Sequence, residues 1–251
     1  MKIIFITFGG GNQPYRDSVK RICFQARKFN MFDKIYGFTD DDLRKDEAFW
    51  KDHGDFITKN PKGFGYWMWK CYFLKKIMNM DEYKEGDIFF YCDSGCELNV
   101  HGKERLVDYI KLTQEHETLA MRLVTFKEKM YTKMDLFTRI GSEEADKDSD
   151  QTQGGILFFK KNKINLQLIN EMWDIITSDN YHNIDDTPST IPNDSIFVDH
   201  RHDQSCWSLL FKKYKRFSIP DETYFHPDWM KGFKFPIWAL RNRTGFACIN
   251  F

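Results

Sequence analysis

The chain lacks an excess of either charge: 37 Lys and Arg are balanced by 37 Asp and Glu among 251 residues, for a formal net charge of zero. No long-range field then draws it to nucleic acid or to an anionic membrane, which sets a nucleic-acid role aside. Paired cysteines are missing too. Cys23, Cys71, Cys92, Cys96, Cys206 and Cys248 form no CxxC pair and no dense framework, which fits free thiols in a reducing compartment. Cys92 and Cys96 have zinc-like spacing, but no second pair stands near them. No stretch reaches the roughly 18 apolar residues of a membrane span, and the apolar run at residues 3–8 is too short for the core of a signal peptide. A cytoplasmic protein without a transmembrane segment is the expectation. GxSxG, HExxH and DxDxT motifs are absent, which counts against hydrolase chemistry, and no glycine loop matches the Walker or GxGxxG pattern. Neither an internal repeat nor a low-complexity tract occurs.

Aromatic residues are abundant. They make up 17% of the chain, with 24 Phe, 11 Tyr and 7 Trp. Flat rings in this number suit surfaces that stack on bases or sugars, and equally an aromatic-rich core. A chain of this length has ample material for a core, and one domain over residues 1–251 is expected.

The centre of the chain is Gly86-Asp87-Ile88-Phe89-Phe90-Tyr91-Cys92-Asp93-Ser94-Gly95-Cys96-Glu97. Residues 88–91 read as a fully buried strand bounded by a Gly-Asp entry and a Ser-Gly exit. Asp93 then falls just past a strand end, where open α/β sheets bind ligands and a carboxylate meets a metal or phosphate. The competing reading is an Asp-Ser-Gly turn in which Asp93 bonds its own backbone.

On the N-terminal side, residues 2–8 predict a strand that breaks at Gly9-Gly10-Gly11-Asn12-Gln13-Pro14, and Pro14 opens a helix over 14–29. Such a glycine loop brings backbone N–H groups close to a phosphate near a helix N-terminus, or makes a tight turn with no ligand. Residues 34–38 read as a second strand, and the acidic Thr39-Asp40-Asp41-Asp42 as the cap of the next helix. Gly63-Phe64-Gly65-Tyr66-Trp67-Met68-Trp69-Lys70 leads into a helix through 80, offering an aromatic face with Lys70 near a diphosphate or a helix buried on the sheet. Trp67 and Trp69 point different ways, so one of them is expected outside the core.

On the C-terminal side, the spacing predicts a helix over 103–115, a strand over 119–124 and a short helix over 131–140. Residues 142–153 carry five acidic side chains and almost no apolar one, which predicts a solvated loop. Gln153-Gly154-Gly155 reads as a glycine turn entering a buried strand, followed by a helix over 162–178. After a turn-rich stretch at 179–195, His202-Asp203-Gln204 precedes a helix over 206–214, where Asp203 is a natural N-cap. Strands alternating with helices, with polar signals at strand ends and helix starts, argue for an α/β fold with a mainly parallel sheet and one crevice.

The ordered set Thr7-Phe8-Gly9, Gly65 to Lys70, Asp87 to Glu97, Gly154 to Phe158 and His202-Asp203-Gln204 resembles a GT-A-type glycosyltransferase across most of the chain. The likeness is to surface-glycan transferases of bacteria and viruses, and more distantly to glycogenin-like enzymes. It implies a GT-A-like, Rossmann-like mixed sheet, mainly parallel and flanked by helices. It implies a nucleoside diphosphate sugar as donor, with UDP expected, and a hydroxyl acceptor on a glycan, protein or lipid. The central segment is similar to that family's DxD motif, but Gly95 stands where a second carboxylate belongs.

What the resemblance implies for single residues is as follows. Thr7, Gly9, Gly10 and Gly11 surround the nucleotide, with Tyr66 and Ser94 beside the donor. Asp93 holds a divalent cation, Mn or Mg, together with His226. Lys70 and Lys231 face the diphosphate, Gly154 and Gly155 lie beside the donor sugar, and Asp203 with Gln204 act at the reacting carbon. Two rivals stand beside this reading. A sugar-phosphate nucleotidyltransferase would carry a longer, basic glycine loop, and a non-catalytic glycan-binding module would keep the aromatic face without the DxD.

Overall fold

The alternating pattern folds as read, and the sheet order sets where the polar strand ends meet. The computed structural model describes residues 1–248. Its strands are β1 (Ile3–Phe8), β2 (Lys34–Phe38), β3 (Ile88–Cys92), β4 (Glu97–Leu98), β5 (Thr118–Lys127), β6 (Asp150–Lys160), β7 (Ser218–Pro220) and β8 (Ile237–Trp238). The helices are α1 (Gln13–Lys28), α2 (Asp40–Lys45), α3 (Glu47–Lys59), α4 (Gly63–Tyr66), α5 (Met68–Met78), α6 (Lys103–His116), α7 (Glu128–Tyr131), α8 (Met134–Ile140), α9 (Lys163–Thr177) and α10 (His202–Lys213). Six strands form one sheet in the order β2-β1-β3-β6-β5-β7, and β4 pairs with β8 apart from it. β6 alone runs against its neighbours β3 and β5; the other sheet pairs are parallel. The sheet is therefore mixed and mainly parallel, a GT-A-like, Rossmann-like α/β architecture.

Each face of the sheet carries its own apolar layer, because alternate strand residues point to opposite sides. Ile4, Ile6 and Phe8 join one layer with α5, α9 and α10. Phe5 joins the other with α1 and α6. The central pairing is strongly aromatic: Phe90 of β3 stacks on Phe158 of β6 at 4.1 Å between ring centroids, a contact worth about 0.5–1.5 kcal/mol beyond burial. α1 begins at Gln13, within a residue of the Pro14 start, and the Asn12 side chain caps it by accepting the Tyr15 N–H at 3.2 Å. Thr39 and Asp42 form a capping box at α2, as the acidic cluster implied.

Three local expectations are corrected. Residues 150–153 belong to β6 and are not loop, and Gln151 and Thr152 are buried. Their polarity is matched inside, since Gln151 bonds Glu128, Thr132, Ser205 and Gln204. The helix expected over 131–140 is two, α7 and α8, separated by the extended Thr132. α10 begins at His202, so Asp203 sits inside its first turn and makes no side-chain cap. No helix among the described residues is long and apolar enough to cross a membrane.

Candidate functional site

β1 and β3 are parallel neighbours, so the Gly9 loop and the Asp93 turn leave the sheet at the same edge. They are packed together there. A Cβ on Gly9 would lie 2.4 Å from the Tyr15 carbonyl oxygen and 2.9 Å from Ser94 Oγ, contacts that only glycine allows. Ser94 is buried and its hydroxyl pairs with Ser18 at 2.9 Å, while Thr7 is fully buried with no hydrogen-bond partner. Alternation along β1 turns Thr7 towards α1 and away from the edge. Thr7, Gly9 and Ser94 thus build the edge from beneath, and the exposed part of the loop is Gly11, which has φ +90°.

Lys70, the third residue of α5, is the centre of the edge. Its ammonium is 2% exposed and meets Asp203 Oδ2 at 2.6 Å, the Gly154 carbonyl at 2.7 Å and Asp93 Oδ1 at 3.6 Å. Two hydrogen bonds, a longer ion pair to Asp93 and full burial occupy the ammonium, so Lys70 is not open to a diphosphate. Burial pushes the Lys70 ammonium towards neutrality, but Asp203 and Asp93 outweigh it and its pKa lies above the usual value. Asp203 is pushed up to about 6, chiefly by burial and further by Asp93, with Lys70 holding against both. Asp93 Oδ1 also accepts the Tyr91 hydroxyl at 2.6 Å. Burial, and then the Asp93 charge, raise the Tyr91 pKa, which keeps that hydroxyl a donor. Asp93 Oδ2 has no donor among the described residues, and the Asp93 side chain is 38% exposed.

The glycine pair lies within β6 and is not a turn. Between the pairs Ala120↔Leu157 and Arg122↔Thr152, β6 covers more residues than β5, so residues 153–156 bulge. Bulges re-aim side chains beside active sites. A Cβ on Gly154 would meet the Gln204 backbone at 3.0 Å and Asp203 Oδ2 at 3.4 Å; one on Gly155 would come 2.7 Å from Asp93 Oδ2. Without side chains there, Asp93 and Gln204 close against the β6 backbone, and Asp93, Gln153 and Gly155, each part-exposed, share the solvent-open gap beside it. Gln204 clamps the bulge to α10: its Oε1 accepts the Gly154 N–H at 3.3 Å and its Nε2 donates to Gln151 at 2.7 Å. Both polar ends of Gln204 are thereby engaged within the protein.

Tyr66 sits in a left-handed run. Gly63, Phe64, Gly65, Tyr66 and Trp67 all have φ between +51° and +82°, at a cost of roughly 1–2 kcal/mol for each residue with a side chain. Packing holds the run in place. The Tyr66 hydroxyl donates to Asp186 at 3.2 Å, and the Tyr66 and Trp67 rings lie on His202, itself at φ +53°. Trp69 instead stacks on Phe8 at 3.9 Å within the core, while Trp67 is half-buried and packed against that same core. The turn therefore aims α5, and with it Lys70.

His226 and Lys231 are not drawn into this cluster. Both are exposed; His226 stacks on Tyr224 at 6.1 Å, and no ion pair joins either to Asp93. Gly95 faces the C-terminal segment, a Cβ on it lying 3.6 Å from Arg241 Cα, so a second carboxylate there would point away from Asp93. Among the described residues no three His, Cys, Asp or Glu side chains converge to hold a metal. Asp93 Oδ2 alone fits a cation of the Mg type, which binds one or two carboxylates and takes the rest of its shell from water and phosphates. Residues of this edge that the sequence reading did not single out are Tyr91, whose hydroxyl holds Asp93, and Gln151, which anchors Gln204; neither carries a local signal of that role.

No protein-family model and no curated protein matches the sequence. Solved structures do. The crystal structure of a glycosyltransferase involved in the glycosylation of the major capsid of PBCV-1 covers 95% of this chain and 92% of its own, at 10% identity and a TM-score of 0.53. That of mouse xyloside xylosyltransferase 1, in its apo form, covers 95% and 97% at 8% identity and a TM-score of 0.45. The first of these likenesses shows a shared fold and, at 10% identity, nothing beyond the fold.

Proposed function

We propose that this protein is a glycosyltransferase that moves a sugar from a nucleoside diphosphate, UDP in the first instance, to a hydroxyl acceptor. The observation that carries the reading is the gap beside Gly155, into which Asp93 presents an open oxygen while Lys70, itself paired with Asp203, holds it from behind. The exposed Gly11 and the N-terminus of α1, with no acidic residue in its first turn, suit the anionic diphosphate. Asp93 is the carboxylate that meets substrate. Asp203 acts from beneath, balancing Lys70 next to the reacting carbon, and Gln204 keeps Gly154 and Gly155 at their distance from it. A divalent cation, when bound through Asp93 Oδ2 and the substrate phosphates, would neutralise the charge of the leaving diphosphate. His226 and Lys231 have no part in this reading.

The test is a panel of UDP-, GDP- and CMP-sugars, each with and without manganese, scored for slow donor hydrolysis. Hydrolysis of one nucleotide class is expected. A protein that binds glycan in calorimetry and ignores every nucleotide would be a binding module, and the reading would be abandoned.

A further inference from the structure

We infer that Gln153 is a specificity-determining residue that accepts a hydrogen bond from a hydroxyl of the transferred sugar, and that this sugar is neutral where it meets the gap. The inference rests on the glycosyl-transfer reading and deepens it.

The orientation of the Gln153 amide is set from one side. Its Nε2 donates to Asp221 Oδ1 at 3.0 Å and to Thr223 Oγ1 at 3.1 Å. Thr223 in turn gives both its hydroxyl and its backbone N–H to Asp221 Oδ1, so its oxygen is left as an acceptor for Gln153. Turning the amide over would set Oε1 against a carboxylate. Oε1 is thus held on the opposite side, 3.7 Å from where a Cβ on Gly155 would stand. Asp93 Oδ2 lies 2.7 Å from that same point. No donor among the described residues reaches Gln153 Oε1.

Two fixed acceptors therefore flank one gap; where Asp93 Oδ2 takes the cation, Gln153 Oε1 is the acceptor left for the sugar, and the group that meets it must donate. A sugar hydroxyl does so; a carboxylate does not. The surrounding charge acts in the same direction, since Asp93 and Asp203 share the one partner Lys70 and Asp221 has no ion pair among the described residues. The bulge is what frees Gln153 for this task, because it lifts residues 153–156 out of register with β5.

The experiment uses the full chain and the nucleotide class that it hydrolyses. Donors carrying the neutral sugar, its single-position deoxy analogues and the matching uronate are compared for kcat/KM in wild type and Gln153→Met. Wild type should disfavour the uronate and lose roughly ten- to hundredfold on one deoxy donor, the size expected when a buried acceptor is left unpaired. Gln153→Met should lose a similar factor on the parent donor and nothing further on that deoxy donor. Should Gln153→Met fail to fold, Asp221→Asn leaves Gln153 in place while releasing its orientation, and should shrink the same deoxy penalty. Independent, multiplying losses in variant and deoxy donor would overturn the inference, as would preferred use of the uronate. A raised manganese requirement in Gln153→Met with an unchanged deoxy profile would assign Oε1 to a cation and overturn it too. Wild type that hydrolyses no nucleotide sugar would remove the glycosyl-transfer reading itself, and this inference with it.

Discussion

Two aspartates stand at the two ends of β3 and are used in opposite ways. Asp87, before the strand, is 4% exposed; its Oδ1 accepts the Lys2 N–H at 2.7 Å and its Oδ2 the Lys84 N–H at 2.8 Å. Asp93, after the strand, accepts from side chains only, the Tyr91 hydroxyl and the Lys70 ammonium, and keeps one oxygen open. A carboxylate whose oxygens both close backbone groups holds chain segments together. One that is held by other ionisable groups and remains partly exposed is available for chemistry. Concavity does not mark the Asp93 end. A cleft of about 550 Å³ lies near the Asp87 end, lined by Glu85, Lys161, Lys163 and Gln167 among others. Yet Lys161 there is tied to the carbonyls of Met80 and Tyr83.

The contrast is broken most forcefully at Lys70. Lys70→Met leaves Asp203 buried without its cation, which should cost about 3–5 kcal/mol in denaturant unfolding and remove donor turnover together with it. A stable, active variant would mean that the C-terminal edge is as passive as the other. Asp87→Asn is the matching change at the structural end. It should lower stability by roughly 1–3 kcal/mol, since one of two backbone N–H groups then meets an amide in place of an oxygen. Turnover per folded molecule should stay at the wild-type level, and a selective loss of turnover would place function at both ends.

The smallest expected effect concerns His200, far from either aspartate in sequence. Its Nδ1 accepts the Lys133 N–H at 3.3 Å and its Nε2–H donates to the Asn183 carbonyl, which requires a neutral ring. Burial pushes its pKa well below the ordinary imidazole value, with His202 and Lys133 adding to the shift. Below about pH 6.5 an unfolded chain binds a proton that the folded His200 refuses, so this group's contribution to stability is full above that pH and is lost as pH falls. Between pH 7.5 and 5.5 wild type should therefore lose more melting temperature than His200→Gln, which keeps an acceptor and a donor but cannot titrate. Equal losses would show that His200 is charged or exposed in the fold.

How much of this was legible depended on whether the cause was local. β3 and, to within a residue, the starts of α1 and α9 follow from apolar runs and Pro14; their Asn12 and Asn162 caps were not read. The first residues of β6 were misread because Gln151 is polar by composition and buried by partnership with Glu128 on α7. The left-handed run announced itself only by Gly63 and Gly65; Phe64, Tyr66 and Trp67 carry positive φ because packing imposes it. Asp93 and Lys70 were singled out as chemistry-bearing, but their relation was not, since Lys70 meets Asp203 across 133 residues of chain. His226 and Lys231 came from family likeness alone, and no local feature ties them to the edge.

Asp93→Asn tests the central claim most directly, read as donor hydrolysis beside melting temperature. The variant keeps an acceptor for the Tyr91 hydroxyl and removes the charge that opens into the gap. Melting within a few degrees of wild type, with turnover down on the order of a hundredfold or more, is the predicted result. Near-native turnover, or a large loss of stability with specific activity intact, would make Asp93 a second Asp87 and contradict the account.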